Sequence, residues 1–438
     1  MPKVTIIGAG SVEFTKFVLA DVLSFDELDD VTVALHDIDE ARLRTAEEIG
    51  GYVNRATGGR AKIEAHLDRR SALDGTDYAI NEIQVGGRDA FLVDFAIPSR
   101  YGVRQTIADT LGIGGISRGL RTLPVMIDIG NDMADVCPDG LLLNYTNPMA
   151  MVPWAVYEGS RFDRVVGLCH SVRDTHAFLA ETVGVPQNEI AFKTAGFNHQ
   201  AFVLRFERDG EDLYPLLDEA IARDPDGLGR RVRVEIYRLF GYFPTESSEH
   251  SSEYVPWFMR HDDMIERFRI PVDDYIGRTV ESLAEYKEAV RALEAGEDID
   301  IEPTSELASE VIHAMETGTP RTIYANVKNT GLIADLPDGC CVEVPCLVDR
   351  AGVQPTAVGT RPPQLSALNR TFLNVVELTV RAVIDGDRNH VYEAAMLDPN
   401  AAATLTPDRI HDMVDDLIEA HGDMIPAAIR RGSTRRRR

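Results

Sequence analysis

The chain has 438 residues, 44% of them hydrophobic, which is ample apolar material for a buried core and excludes an intrinsically disordered chain. Its 71 acidic residues outnumber 45 basic ones and leave a formal net charge of −26, a surface that repels nucleic acid and anionic membrane, so neither is expected as a partner. Only six of the basic residues are lysines, and dispersed carboxylates with few lysines suit a halophilic protein working in screening salt.

The five cysteines, Cys137, Cys169, Cys340, Cys341 and Cys346, are an odd set in a long chain. They fit free thiols in a reducing cytoplasm better than a disulfide framework. The N-terminus runs directly into a strand-like segment with no signal-peptide pattern, and no run reaches the apolar length of a membrane span. The four arginines 435–438 read as a solvated, frayed terminus.

The predicted elements alternate strand and helix through the first part of the chain. Residues 4–7 form a short apolar strand ending at Gly8, followed by a helix over 14–23. A second strand, 31–35, ends at His36-Asp37, and a helix over 40–53 comes next. Residues 78–85, 140–145 and 165–168 read as three further core strands, and Gly112 to Gly115 as a flexible loop. This alternation predicts an α/β fold with a Rossmann-type doubly wound parallel sheet over residues 1–185.

Beyond that point the pattern changes. Residues 202–207 read as one arm of an antiparallel hairpin that turns at Arg208-Asp209-Gly210. Further strands are expected at 322–327 and 341–344, and helices near 227–240, 306–317, 366–385 and 407–419. The expectation is a second, mixed α+β domain over 186–430, which carries catalytic and oligomerisation surfaces, and a basic tail over 431–438. The acidic run 297–302 reads as a solvated loop.

Gly8-Ala9-Gly10 sits between the first strand and a helix, where glycines let the backbone approach a pyrophosphate and the helix N-terminus faces the anion. Position 13, where the full fingerprint has a third glycine, is Glu13, so the match is partial. Asp37, at the end of the second strand, stands where a carboxylate accepts ribose hydroxyls and repels the extra phosphate of NADP. NAD is therefore the expected dinucleotide, with Gly8, Gly10, Ser11, Asp37 and Gly86 as its candidate contacts.

Reactive side chains concentrate in four segments: Asn144 to Pro148, Gly167 to Ser171, Gly196 to His199 and Thr245 to His250. The first two follow predicted parallel strands, on the edge where such sheets bind ligands. A thiolate from Cys169 and an imidazole from His199 suit a borderline divalent metal with positions left open for substrate. Spacing alone equally allows a buried strand-end thiol and a hydrogen-bonded core histidine.

The segments Gly8-Ala9-Gly10-Ser11, Asp37-Ile38-Asp39, Asn144-Tyr145-Thr146-Asn147-Pro148, Gly167-Leu168-Cys169-His170-Ser171, Phe197-Asn198-His199 and Thr245-Glu246-Ser247-Ser248-Glu249-His250 resemble those of glycoside hydrolase family 4, above all its melibiase-type α-galactosidases. The resemblance spans nearly the whole chain. It implies a fold related to lactate and malate dehydrogenases, bound NAD, a divalent metal (usually Mn2+) and a homodimer or homotetramer. It makes Cys169 and His199 the metal ligands, Asn147 a substrate contact, and His170 the acid that protonates the leaving group. Asn198, beside His199, is read as a second substrate contact. The base falls in 245–254, where Glu246, His250 and Tyr254 are the candidates. The implied reaction is hydrolysis of an α-galactoside by C3 oxidation, C2 deprotonation, elimination, water addition and re-reduction. Hydrolases of this family are outside the usual two-carboxylate scheme.

Three other readings compete. An α-galacturonidase would share the mechanism and need a cation aimed at a C6 carboxylate. An NAD-dependent 2-hydroxy-acid dehydrogenase would explain Asp37 but give Cys169 and His199 no task. A non-catalytic, redox-sensing NAD-binding protein would bind the dinucleotide without turnover.

Overall fold

The computed structural model describes every residue except 302, 303, 305 and 433–438, so the arginine tail and Glu302 of the acidic run lie outside the described residues. Six strands build the first sheet region: β1 (Lys3–Ile7), β2 (Thr32–His36), β3 (Lys62–His66), β4 (Tyr78–Asn81), β5 (Leu141–Asn144) and β6 (Val165–Leu168). They are parallel and lie in the order β6-β5-β4-β1-β2-β3, the doubly wound arrangement of dinucleotide-binding folds. Strands β4, β5 and β6 are buried at every position, which is why they read as nearly unbroken apolar runs. β3 is the edge strand, and its alternation of Lys62, Glu64 and His66 with Ile63 and Ala65 hides it from an apolar-run search.

Two expectations are corrected here. The strand read over 78–85 ends at Asn81, because Glu82 makes the last backbone bond to β1 (Glu82 N to Ile7 O, 3.0 Å) and the chain then turns away. Gly112 to Gly115 is not a loop but the first turn of the helix Gly112–Val136. Its glycines serve close packing: a Cβ on Gly114 would lie 2.4 Å from Ala108 O, and one on Gly115 2.5 Å from Thr110 O.

The second part of the chain supplies β7 (Ala191–Ala195), β8 (Phe202–Arg208) and β9 (Glu211–Asp212), a separate antiparallel sheet. Its β8–β9 turn has Asp209 and Gly210 at positive φ, at the expected position. β10 (Arg321–Lys328), β11 (Cys341–Asp349) and β12 (Gly352–Pro355) return to the first sheet instead. β10 pairs antiparallel with β6 through Ala325–Leu168 and Asn326–Gly167 and extends the sheet to nine strands. The hydrophobic core follows the sheet across residue 185: Val4 and Leu143 share one buried cluster with Phe197, Tyr254 and Phe372. Helices Gly112–Val136, Met151–Gly159 and Pro363–Asp385 pack together.

Candidate active site

The parallel register aligns the strand ends that carry the candidate residues. Ile7 of β1 is level with His36 of β2 and Asn81 of β4, Asn81 with Asn144 of β5, and Asn144 with Gly167 of β6. Gly8, Asp37, Asn147 and Cys169 thus all emerge on the carboxyl edge, where open α/β sheets take ligands. Three strand steps of about 4.8 Å separate the β1 turn from Cys169, a span a dinucleotide can cover.

At the β1 end, Gly8 takes φ +94°, and a Cβ there would press on the Ile83 backbone at 3.1–3.2 Å. Gly10 N donates to Asp37 Oδ2 at 2.8 Å, and a Cβ on Gly10 would meet that oxygen at 2.5 Å. Ser11 stands at the N-cap of the twelve-residue helix Val12–Leu23, is exposed, and makes no side-chain capping bond, so its hydroxyl is not committed to the helix. A tight glycine turn, a helix N-terminus and a carboxylate beside them fit the pyrophosphate and ribose of NAD. Gly86 is farther along, at φ +78° ahead of the helix Gly87–Tyr101, with Met424 against it.

At the β6 end, Cys169 follows Leu168 and His170 opens the helix Ser171–Val183. His199 arrives from the second part of the chain on a loop in which it holds φ +64°. Such a conformation is unusual for a non-glycine residue and needs support. The support is local: Gly196 and Glu343 exchange both backbone bonds, at 3.1 and 3.0 Å, and Asn369 Nδ2 donates to Gln200 O at 2.7 Å. The third segment brings Glu246, just ahead of Ser247, whose hydroxyl caps the helix Ser248–Tyr254.

Cys169 Sγ lies 3.6 Å from His199 Nε2, and Glu246 Oε2 lies 3.0 Å from the same nitrogen. The three ligand atoms all fall within 4.8 Å of one another, the one such convergence of three His, Cys, Asp or Glu groups among the described residues. Burial lowers the His199 pKa to about 4, so its ring is neutral with a lone pair to give. Burial works to raise Glu246, but His199 and His250 outweigh it and hold the carboxyl at about 2. Burial, with Glu343 and Glu246 adding like charge, pushes the Cys169 thiol up to about 12. A thiol with no cation beside it stays protonated under those conditions, whereas a coordinated one is deprotonated outright. A thiolate, a neutral imidazole and an ionised carboxylate form a donor set that fits a borderline divalent ion.

The other candidates have distinct surroundings. Tyr254 Oη lies 2.8 Å from His199 Nδ1 and is fully buried. His250 is clamped between Glu246 (Nδ1 to Oε1, 3.2 Å) and Asp109 (Nε2 to Oδ1, 3.4 Å). Burial opposes its charge, but those two carboxylates raise its pKa well above the ordinary histidine value. His170 Nε2 lies 2.7 Å from Glu306 Oε2, and its ring stacks on Tyr145 at 5.8 Å. Asn147, at a cis bond to Pro148, donates from Nδ2 to Asp109 Oδ2 at 2.9 Å, and its carbonyl accepts from Arg118 Nε at 3.0 Å. Asn198 is turned inward and donates to Glu343 Oε1 at 3.4 Å. Of the predicted site residues, Cys169, His199, Glu246, His250, Tyr254 and Asn147 thus form one connected group. His170 borders it, and Asn198 supports it from behind.

Sequence reasoning missed four members: Asp109, Arg118, Glu306 and Glu343. Asp109 sits on a loop fixed by Glu253, whose carboxylate accepts from Thr106, Ile107 and Ala108 N–H at 2.7–3.1 Å. Burial opposes ionisation of Asp109, yet His250, Arg118 and His199 keep it below the usual carboxylate range. Asp109 and Glu343 fall in segments, 105–112 and 339–344, that also resemble the family, but nothing in their spacing marks them as site residues.

The fold and this pocket define a chain of the dinucleotide-binding plan whose sheet edge holds a set of metal-competent ligands. Comparison with known proteins narrows that class. Residues 3–185 match the family description "Family 4 glycosyl hydrolase", and residues 194–401 match "Family 4 glycosyl hydrolase C-terminal domain". The chain is 42% identical over 430 residues to an α-galactosidase of Bacillus subtilis, covering 97% of this chain and 99% of that one. It is 35% identical over 440 residues to an α-galactosidase of Rhizobium meliloti, covering 97% and 89%. A 6-phospho-α-glucosidase from gut microorganisms, solved in complex with NAD and Mn2+, shares the fold with a TM-score of 0.82 at 22% identity over 97% of this chain and 99% of that one. The malate dehydrogenase of Cryptosporidium parvum shares it more distantly, with a TM-score of 0.53 at 14% identity over 88% and 99%. The chain belongs to glycosyl hydrolase family 4.

Proposed function

We propose that the chain hydrolyses α-galactosides with resident NAD and a divalent metal, Mn2+ being the first to test. The observation that carries this reading is the convergence of Cys169 and His199, thirty positions apart, at 3.6 Å on the sheet edge that also bears the Gly8–Ser11 turn. The two α-galactosidases, at 42% and 35% identity, support the choice of sugar. When bound, NAD supplies reversible hydride chemistry and the metal supplies Lewis acidity.

The protein's own groups do the rest. Asn147, fixed through Asp109 and Arg118, orients the sugar, and Asn198 braces the loop that presents His199. His170, held by Glu306, delivers a proton to the departing glycosidic oxygen. The Glu246–His250 pair receives the C2 proton, because Tyr254 stands behind His199 and cannot reach past it.

An α-galacturonide would need an uncompensated cation for its C6 carboxylate. Arg118, whose Nε holds the Asn147 carbonyl, already lies 4.0 Å from Asp109, so it is not an uncompensated cation. A 2-hydroxy-acid dehydrogenase would leave the Cys169–His199–Glu246 cluster without purpose. The five free cysteines, four of them buried, support work in a reducing compartment such as the cytoplasm. No helix among the described residues is long and apolar enough to cross a membrane. Dimer or tetramer formation and salt tolerance are carried as further proposals, read by light scattering and by activity against KCl concentration.

The test is a panel of p-nitrophenyl glycosides assayed with NAD, Mn2+ and a reductant. The α-galactoside is expected to turn over, with activity lost when bound NAD is stripped or the metal is chelated. Preference for the galacturonide, or full turnover of protein freed of both NAD and metal, would contradict the reading.

A further inference from the structure

We infer that Glu246 is a third protein ligand of the metal, so that the ion sits in a Cys169–His199–Glu246 site and not on two protein ligands alone. This deepens the function proposed above and rests on it.

The first support is spacing. Around a divalent ion with bonds of about 2.0–2.3 Å, two ligand atoms at angles between right and tetrahedral lie roughly 2.9–3.6 Å apart. His199 Nε2 is 3.0 Å from Glu246 Oε2 and 3.6 Å from Cys169 Sγ, so both pairs that share the imidazole fall in that range.

The second is that the atoms not pointing at this centre are engaged elsewhere. His199 Nδ1 pairs with Tyr254 Oη at 2.8 Å. Glu246 Oε1 accepts from Ser247 N at 2.7 Å and faces His250 Nδ1 at 3.2 Å. These contacts leave Nε2 and Oε2 turned inward together, the arrangement by which outer partners orient metal ligands. A residue serving only as base would turn its free oxygen toward the sugar, not onto the imidazole ligand.

The third is charge. Thiolate and carboxylate together neutralise a divalent ion, while His250 and Asp109 balance each other beside them. A buried cluster of this kind is costly unless its charges are paired.

The test compares native protein and Glu246→Gln, both with NAD, by Mn2+ titration against a competing chelator and by the visible spectrum of the Co2+ form. We expect Glu246→Gln to weaken Mn2+ binding at least tenfold. Its Co2+ ligand-field bands should move, while the charge-transfer band of the Cys169 thiolate remains. An Mn2+ affinity within twofold of native, with an unmoved spectrum, would overturn the inference and leave the proposed function standing. Native protein that takes up no Mn2+ would overturn both. If Glu246→Gln does not fold, the crystal structure of native protein loaded with Mn2+ decides. Glu246 Oε2 at a bond length of about 2.2 Å supports the assignment, and a separation beyond about 3 Å refutes it.

Discussion

Tyr254 Oη meets His199 Nδ1 at 2.8 Å, on the opposite ring nitrogen from the one that faces Cys169 and Glu246. In the proposed site the phenol therefore orients a ligand. If Nε2 is to bind a cation, Nδ1 carries the ring proton and donates it to the tyrosine oxygen.

Tyr254→Phe removes that acceptor from a fully buried position. Loss of such an outer partner typically costs about 10–100-fold in metal affinity. We expect Mn2+ binding to weaken by about that factor, with kcat at saturating Mn2+ within about threefold of native. A kcat lower by several orders of magnitude at saturating metal would mark Tyr254 as the base instead.

Cys169→Ser replaces a thiolate by a poor ligand without changing the packing around Leu168 and Val172, both buried. Far-ultraviolet circular dichroism is expected to match native, while activity and the stabilisation by Mn2+ in thermal melts disappear. Full activity in this variant would remove Cys169 from the site.

The parallel half of the fold was legible because its strands are short apolar runs ending in glycine or acid, as at Gly8 and Asp37. The edge strand β3 was not, because one face of Lys62–His66 is charged. Nor was the return of β10–β12 to the first sheet, which depends on a pairing between Asn326 and Gly167 that no local pattern announces. At the site, Cys169 and His199 stood out as rare residue types in short polar segments. Asp109 and Glu343 did not, since burial alone distinguishes them from other acids. The glycines at 112–115 misled because positional freedom and close packing call for the same residue.

The NAD end makes its own demands. A methyl group on Gly10 would lie 2.5 Å from Asp37 Oδ2 and 2.8 Å from Arg42 Cβ. Gly10→Ala should lower NAD affinity more than tenfold by calorimetry. Asp37→Ala should lose about tenfold in NAD affinity, equivalent to roughly one charged hydrogen bond, and narrow the preference for NAD over NADP. Unchanged discrimination in Asp37→Ala would place the ribose elsewhere.

Glu343 offers a pH test of the scaffold behind His199. Burial raises its carboxyl from the usual 4.5 to about 7, against the pull of Asn198 and Asn326. An acid raised on folding keeps its proton longer in the folded chain, so stability falls as pH rises from about 4.5 to about 7 and then levels. Glu343→Gln mimics the protonated form and escapes that loss. In chelated protein the variant should match native near pH 4.5. It should be more stable by up to about 3 kcal/mol at pH 8, by denaturant titration. A variant less stable than native at pH 8 would show that the carboxylate is welcome there.

The central claim is that this pocket acts on C2 and C3 of the sugar as well as on the glycosidic bond. Hydrolysis of an α-galactoside in D2O with NAD and Mn2+, followed by NMR of the galactose released, tests it directly. The account predicts deuterium at C2 of the product, since a proton must leave that carbon and be replaced from solvent. Galactose carrying only protium at C2 would contradict it, and would assign the chain to direct displacement at the anomeric carbon.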